Sequence, residues 1–157
     1  MTFTTNAVTQ VLESLVEEKG RDYVYPPAAE SIACYYSEED GAPSCIVGHV
    51  IAKLEPELFH ALYVRERKAQ LGSASADEVL KYPVEFGRAE DDFDDMTSIY
   101  DNPPLDDSNP KHNRLARALS VAQSIQDGGR TWGAALEGYR RVLAGEDEWL
   151  VRREFGV

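Results

Sequence analysis

Cysteine is scarce in this chain: Cys34 and Cys45 are the only two in 157 residues. That scarcity excludes a disulfide-stapled scaffold, and a chain of this length buries enough surface to fold without staples or a structural metal. Long apolar runs are missing too, since nothing approaches the about 18 consecutive apolar residues of a membrane span. The opening MTFTTNAVTQ has neither the basic start nor the apolar centre of a signal peptide, so the sequence predicts a cytoplasmic protein. In a reducing compartment the two thiols read first as small buried packing groups. Basic residues are also in deficit, with 16 Lys and Arg against 28 Asp and Glu and a formal net charge of −12. The deficit is uneven: residues 90–110 hold 8 acidic side chains and no basic one, whereas residues 111–157 hold 6 acidic and 8 basic. A field of that overall sign repels nucleic-acid phosphates and acidic lipid, so neither nucleic acid nor membrane is an expected partner.

What is present describes an ordinary globular protein, 43% hydrophobic and 28% charged. Val8, Val11, Leu12, Leu15 and Val16 recur at helical spacing, with Thr4 as cap, Phe3 as staple onto Val8 and Gly20 as stop. Residues 22–25 and 32–36, rich in aromatic and β-branched side chains and bounded by Pro26, Pro27 and Asp40-Gly41, predict a small two-stranded ribbon. Pro43 suits the first turn of a helix over residues 43–54. On that helix Ile46, Val47, Val50, Ile51 and Leu54 share an apolar face, while Cys45, Gly48, His49 and Ala52 form a small-residue face opposite. Such a helix is expected to be central and packed from both sides.

Glu55-Pro56 opens a further helix that turns Leu58, Phe59, Leu62 and Tyr63 inward, and residues 77–81 can form one helical turn. Residues 90–110 read as an acidic loop. Asn109-Pro110 starts a helix carrying Leu115, Ala118, Leu119, Ala122 and Ile125. Gly128-Gly129 turns it into a second helix capped by Thr131, and the tail is expected to dock through Trp149 and Phe155. The fold class is therefore α+β, mainly helical, with about five helices around a central buried helix and a small two-stranded β ribbon. Neither an internal repeat nor a linker divides it, so residues 1–157 read as one globular domain.

The run GAPSCIVGHVI, preceded by CYY and followed by AQSIQDGGRTWGAAL, resembles a group of small proteins found in actinobacteria and their phages. In that group a Pro-Ser-Cys helix start recurs together with a C-terminal glutamine, glycine and Thr-Trp-Gly segment. The resemblance touches residues 22–54 and 115–136 and leaves the acidic middle unmatched. It implies a setting, a phage or prophage accessory protein inside a bacterial cell, and brings no activity with it.

Two chemistries are open to the cysteines and His49. Cys45 in the first turn of a helix sits at the positive end of the helix dipole, which favours a thiolate nucleophile, with His49 one turn along and His60 or His112 as other bases. Alternatively Cys34, Cys45 and His49 supply ligands for zinc, with His60, His112 or an Asp as a fourth, although ten residues between the cysteines match no short metal knuckle. Against both stands packing alone, with the thiols buried and His49 bonded to a nearby carbonyl or carboxylate. The acidic stretch lacks the central glycine and distal Glu of a calcium loop. It can instead mimic nucleic acid towards a basic host protein, or bind a partner through Asp91, Asp92, Phe93, Asp94, Asp95 and Tyr100. The C-terminal helical pair lacks the basic and amide side chains a DNA reader places early in its second helix; Trp132, Leu136 and Tyr139 read as core. The leading expectation is a non-enzymatic protein-protein interaction with a host or phage protein, with no cofactor. A small enzyme or zinc protein centred on Cys45 and His49 stands second.

Overall fold

The structure is a computed structural model and describes residues 3–26, 35–67, 74–86 and 98–157. The described residues form an α+β, mainly helical protein: α1 (Thr5–Lys19), α2 (Ile46–Leu54), α3 (Pro56–Arg67), α4 (Ala76–Lys81), β1 (Val84–Phe86), β2 (Ser98–Tyr100), α5 (Pro110–Asp127), α6 (Trp132–Leu143) and α7 (Glu148–Phe155). Buried residues from Phe3 to Val151 join in one hydrophobic cluster. No helix among the described residues is long and apolar enough to cross a membrane.

Helix starts follow the side chains that can accept from orphan amides. Thr4 caps α1 by accepting from Ala7 N at 3.2 Å, Thr131 caps α6 by accepting from Ala134 N at 3.0 Å, and Asn109 precedes Pro110 at the start of α5. On α1, Val8, Leu12 and Val16 are buried, while Val11 and Leu15 are half-buried beside α2. The α5–α6 pair is the predicted hairpin, its turn made at Gly128 and Gly129. Gly138 lets the two helices close up, for a Cβ there would lie 2.3 Å from Ile125 Cδ1.

Four expectations need correction. First, among the described residues the two-stranded sheet pairs β1 with β2, antiparallel, in the register Val84↔Tyr100, and residues 22–25 take no part in it. Arg21 and Asp22 form a turn, and the segment that follows faces the start of α6, where Val24 bridges Thr131, Trp132 N donates to Tyr23 O at 2.8 Å and Gly133 N donates to Arg21 O at 3.0 Å. Orphan amides at the start of α6 find their acceptors in this segment. Residues 32–34 lie outside the described residues; Ser37, just beyond, bridges Pro43 instead. Second, α2 begins at Ile46 rather than Pro43, because Ser44 N donates to Tyr36 O at 2.9 Å and holds residues 43–44 extended, making Cys45 the cap.

Third, residues 98–110 are not a loop throughout. They contribute β2 and then lead into α5, with Leu105 buried and its N–H donating to Leu80 O at 3.0 Å. Fourth, the tail docks through Val151 and Phe155, not through Trp149. Trp149 points outward at 63% exposure, beside Leu150 at 52%. The described helices number seven, counting the turn at α4, which carries a full capping box between Ser75 and Glu78, and α7 in the tail.

Candidate functional site

The Cys45–His49 seam is assembled from parts of the chain far apart in sequence. α2 buries Ile46, Val47, Gly48, Val50 and Ile51 and packs against α1, α3 and α5. Two segments meet its small-residue face, one at Gly48 and one at His49. The Tyr36 backbone lies across Gly48 so closely that a Cβ there would sit 2.2 Å from Tyr36 O. Trp132, fully buried at the start of α6, meets the His49 ring edge-on at 5.5 Å and the Tyr23 ring at 4.7 Å between centroids.

Within the seam the pair is not wired as a nucleophile and base. Cys45 Sγ accepts from Gly48 N at 3.3 Å, as an N-cap side chain does, and the thiol is fully buried. His49 Nδ1 donates to the carbonyl oxygen of Cys45 at 2.9 Å, so the ring is held by the backbone and not by sulfur. Burial pushes the His49 imidazole below its usual 6.5, the bond to the Cys45 carbonyl working against that shift. In Cys34→Ser protein, Ellman's reagent is expected to label Cys45 only as fast as the protein unfolds. Rapid labelling of the native fold would restore the nucleophile reading.

The His49 shift has a sign that can be checked. An unfolded imidazole takes a proton near 6.5 and the folded one only at lower pH, so acidification through that window favours unfolding. Stability from this group is complete above 6.5 and is lost as pH falls through the folded value. NMR titration of the His49 ring should give a midpoint below 6.5, and one above it contradicts this packing.

For zinc, no three His, Cys, Asp or Glu side chains converge among the described residues, and Cys34 lies outside them. His60 is exposed on α3, and His112 Nδ1 accepts from Asp106 N at 2.9 Å at the start of α5. Of the acidic candidates, Asp91, Asp92, Phe93, Asp94 and Asp95 lie outside the described residues. Tyr100 is half-buried in β2 against the core, and burial raises its hydroxyl above the usual value of 10.0.

Three polar residues that close the seam escaped the sequence reading. Gln126 Oε1 accepts from Ile46 N at 2.7 Å, and Gln123 Oε1 accepts from Ala76 N at 2.9 Å, so two side chains of α5 cap the starts of α2 and α4. Buried Glu66 accepts from Tyr36 N at 2.8 Å, Ser37 N at 3.1 Å and Ser37 Oγ at 2.7 Å, fastening the segment that covers Gly48. Burial raises its carboxyl above the ordinary 4.5, and these bonds oppose the rise. A signal for all three was present: Glu66 continues the four-residue spacing of Leu58 and Leu62, and Gln123 and Gln126 stand four and seven residues after Leu119.

A second candidate lies on the opposite end of the hairpin. A groove of about 360 Å³ runs between the start of α5, the end of α6 and the start of α7, with Pro110, Arg114, Arg117 and Val142 among its walls. It reaches Glu148, directly before exposed Trp149 and Leu150. No protein-family model, curated protein or solved structure matches the chain.

Proposed function

We propose that the protein works by binding another protein, without catalysis, in the cytoplasm of a bacterial cell, the phage or prophage setting that the sequence resemblance implies. The observation that carries this reading is the exposure of Trp149 and Leu150 side by side on the first turn of α7. Trp and Arg dominate the energetics of protein interfaces, and here a Trp lies in a helix whose other face, through Val151, is sunk in the core. Leaving two large apolar side chains in water costs about 1.5–3 kcal/mol each relative to burial, which a docked partner recovers. Cys45 and His49 fit a structural role in the same reading, since cap and backbone bonds use both.

A photo-crosslinking amino acid placed at Trp149 in the intact protein tests this in cells. A discrete heavier adduct is expected from position 149 and none from Lys53, exposed near the end of α2. Adducts from Lys53 alone would move the interface elsewhere.

A further inference from the structure

We infer that the groove leading to Trp149 takes an acidic segment of a partner protein, an inference that rests on the docking reading above. Residues 111–157 hold 8 cations, and five of them are engaged. Arg130 donates to Phe155 O at 3.0 Å and Arg140 bonds Glu13 at 2.6 Å. Arg141 holds Glu146 and Glu154 at 2.9 and 2.6 Å. Arg152 bonds Ser124 and Ser120 and lies 3.7 Å from Glu148, while Arg153 stacks 5.6 Å from the Trp149 ring centroid.

Lys111, Arg114 and Arg117 remain, and their side chains make no ion pair or hydrogen bond among the described residues. All three lie near the start of α5, three residues apart. Glu146, Asp147 and Glu148 line the same groove, and two of these three carboxylates face cations of their own. Glu146 is held by Arg141, Glu148 faces Arg152, and Asp147 accepts from Trp149 N and Leu150 N at 2.9 and 3.1 Å. Asp77 and Asp107, which share a neighbouring cleft with Arg117, are both bound to Lys81 at 3.1 and 2.8 Å.

Within residues 111–157, the cations left without an ion pair thus follow one another along the start of α5, and two of them, Arg114 and Arg117, line the groove. Two guanidinium forks match carboxylates in a bidentate fashion, and Val142 and Pro110 offer an apolar floor between them. Nucleic acid fits less well, because a phosphate polymer calls for a longer basic track and meets the repulsion of the whole chain.

Selection of a random displayed peptide library on the intact protein, followed by anisotropy titration of the winners, tests the inference. Selected peptides should carry paired Asp or Glu beside an apolar residue. R114E/R117E should weaken them about tenfold or more, and Glu→Gln replacement in the peptide should do likewise. R114A/R117A, at exposed positions, guards against a folding artefact and should weaken binding in the same direction. Winners without acidic bias, or indifferent to both double variants, overturn the inference. If such winners still lose affinity on Trp149→Ala, docking at α7 stands and only the partner chemistry is wrong; if they do not, both readings fail. A single-stranded oligonucleotide that binds more tightly than every peptide, and loses binding on R114E/R117E, replaces the acidic protein with nucleic acid and also overturns it.

Discussion

Gly48→Ala is expected to lower stability by about 3 kcal/mol or more, a fall in melting temperature of roughly 6–12 °C for a chain of this size. The new methyl would meet Tyr36 O at 2.2 Å, with Tyr36 C and Cα at 3.0 and 3.1 Å behind it. A flexible side chain could swing away from such a contact, but this neighbour is backbone pinned on several sides. Tyr36 N is bound to Glu66, its O accepts from Ser44 N at 2.9 Å, and its hydroxyl donates to Ala74 O at 2.5 Å. Cys45→Ser, three residues away, is expected to cost under about 1 kcal/mol, because a hydroxyl caps a helix as well as sulfur does. Thermal unfolding of the two variants side by side checks the contrast; a mild Gly48→Ala would mean that Tyr36 does not lie across α2.

Trp132→Ala should cost about 3–5 kcal/mol by emptying the space between Tyr23 and His49. Trp132→Phe should cost far less than the change in size suggests. The indole N–H is buried and finds no acceptor among the described residues, so removing it relieves a penalty of about 1–3 kcal/mol while losing part of the ring. Denaturant unfolding of both variants decides this, and equal losses would show that the indole N–H has a partner after all.

The fold brings PSCIVGH, Tyr36 and the stretch over residues 126–133 together. They meet at one seam: Gln126 on Ile46, Tyr36 on Gly48, Trp132 on His49 and the Arg21 carbonyl on Gly133. The helical stretches were legible because caps and apolar spacing are local signals, as at Thr4, Asn109-Pro110 and Thr131. The sheet was not, since strands of three residues are too short to show alternation, and β2 adjoins an acidic run that reads as loop. Pro43 misled because the signal at a helix start is weaker than the tether from Ser44 to Tyr36, which only the tertiary fold supplies. The buried glutamines and Glu66 were passed over for their polarity, although their spacing placed them on apolar stripes. The groove at Arg114 and Arg117 was invisible for a different reason: which cations remain unpaired depends on ion pairs such as Arg140–Glu13, across 127 residues of sequence.

In the proposed role the α7 surface carries partner binding, while Cys45 and His49 serve the fold. Quantitative affinity capture from a lysate of the cells in which the protein is expressed, run in parallel on wild type, W149A/L150A and C45S/H49Q, tests this. The account predicts one specific protein retained by wild type and C45S/H49Q and lost from W149A/L150A. A partner lost from folded C45S/H49Q and kept by W149A/L150A would contradict it.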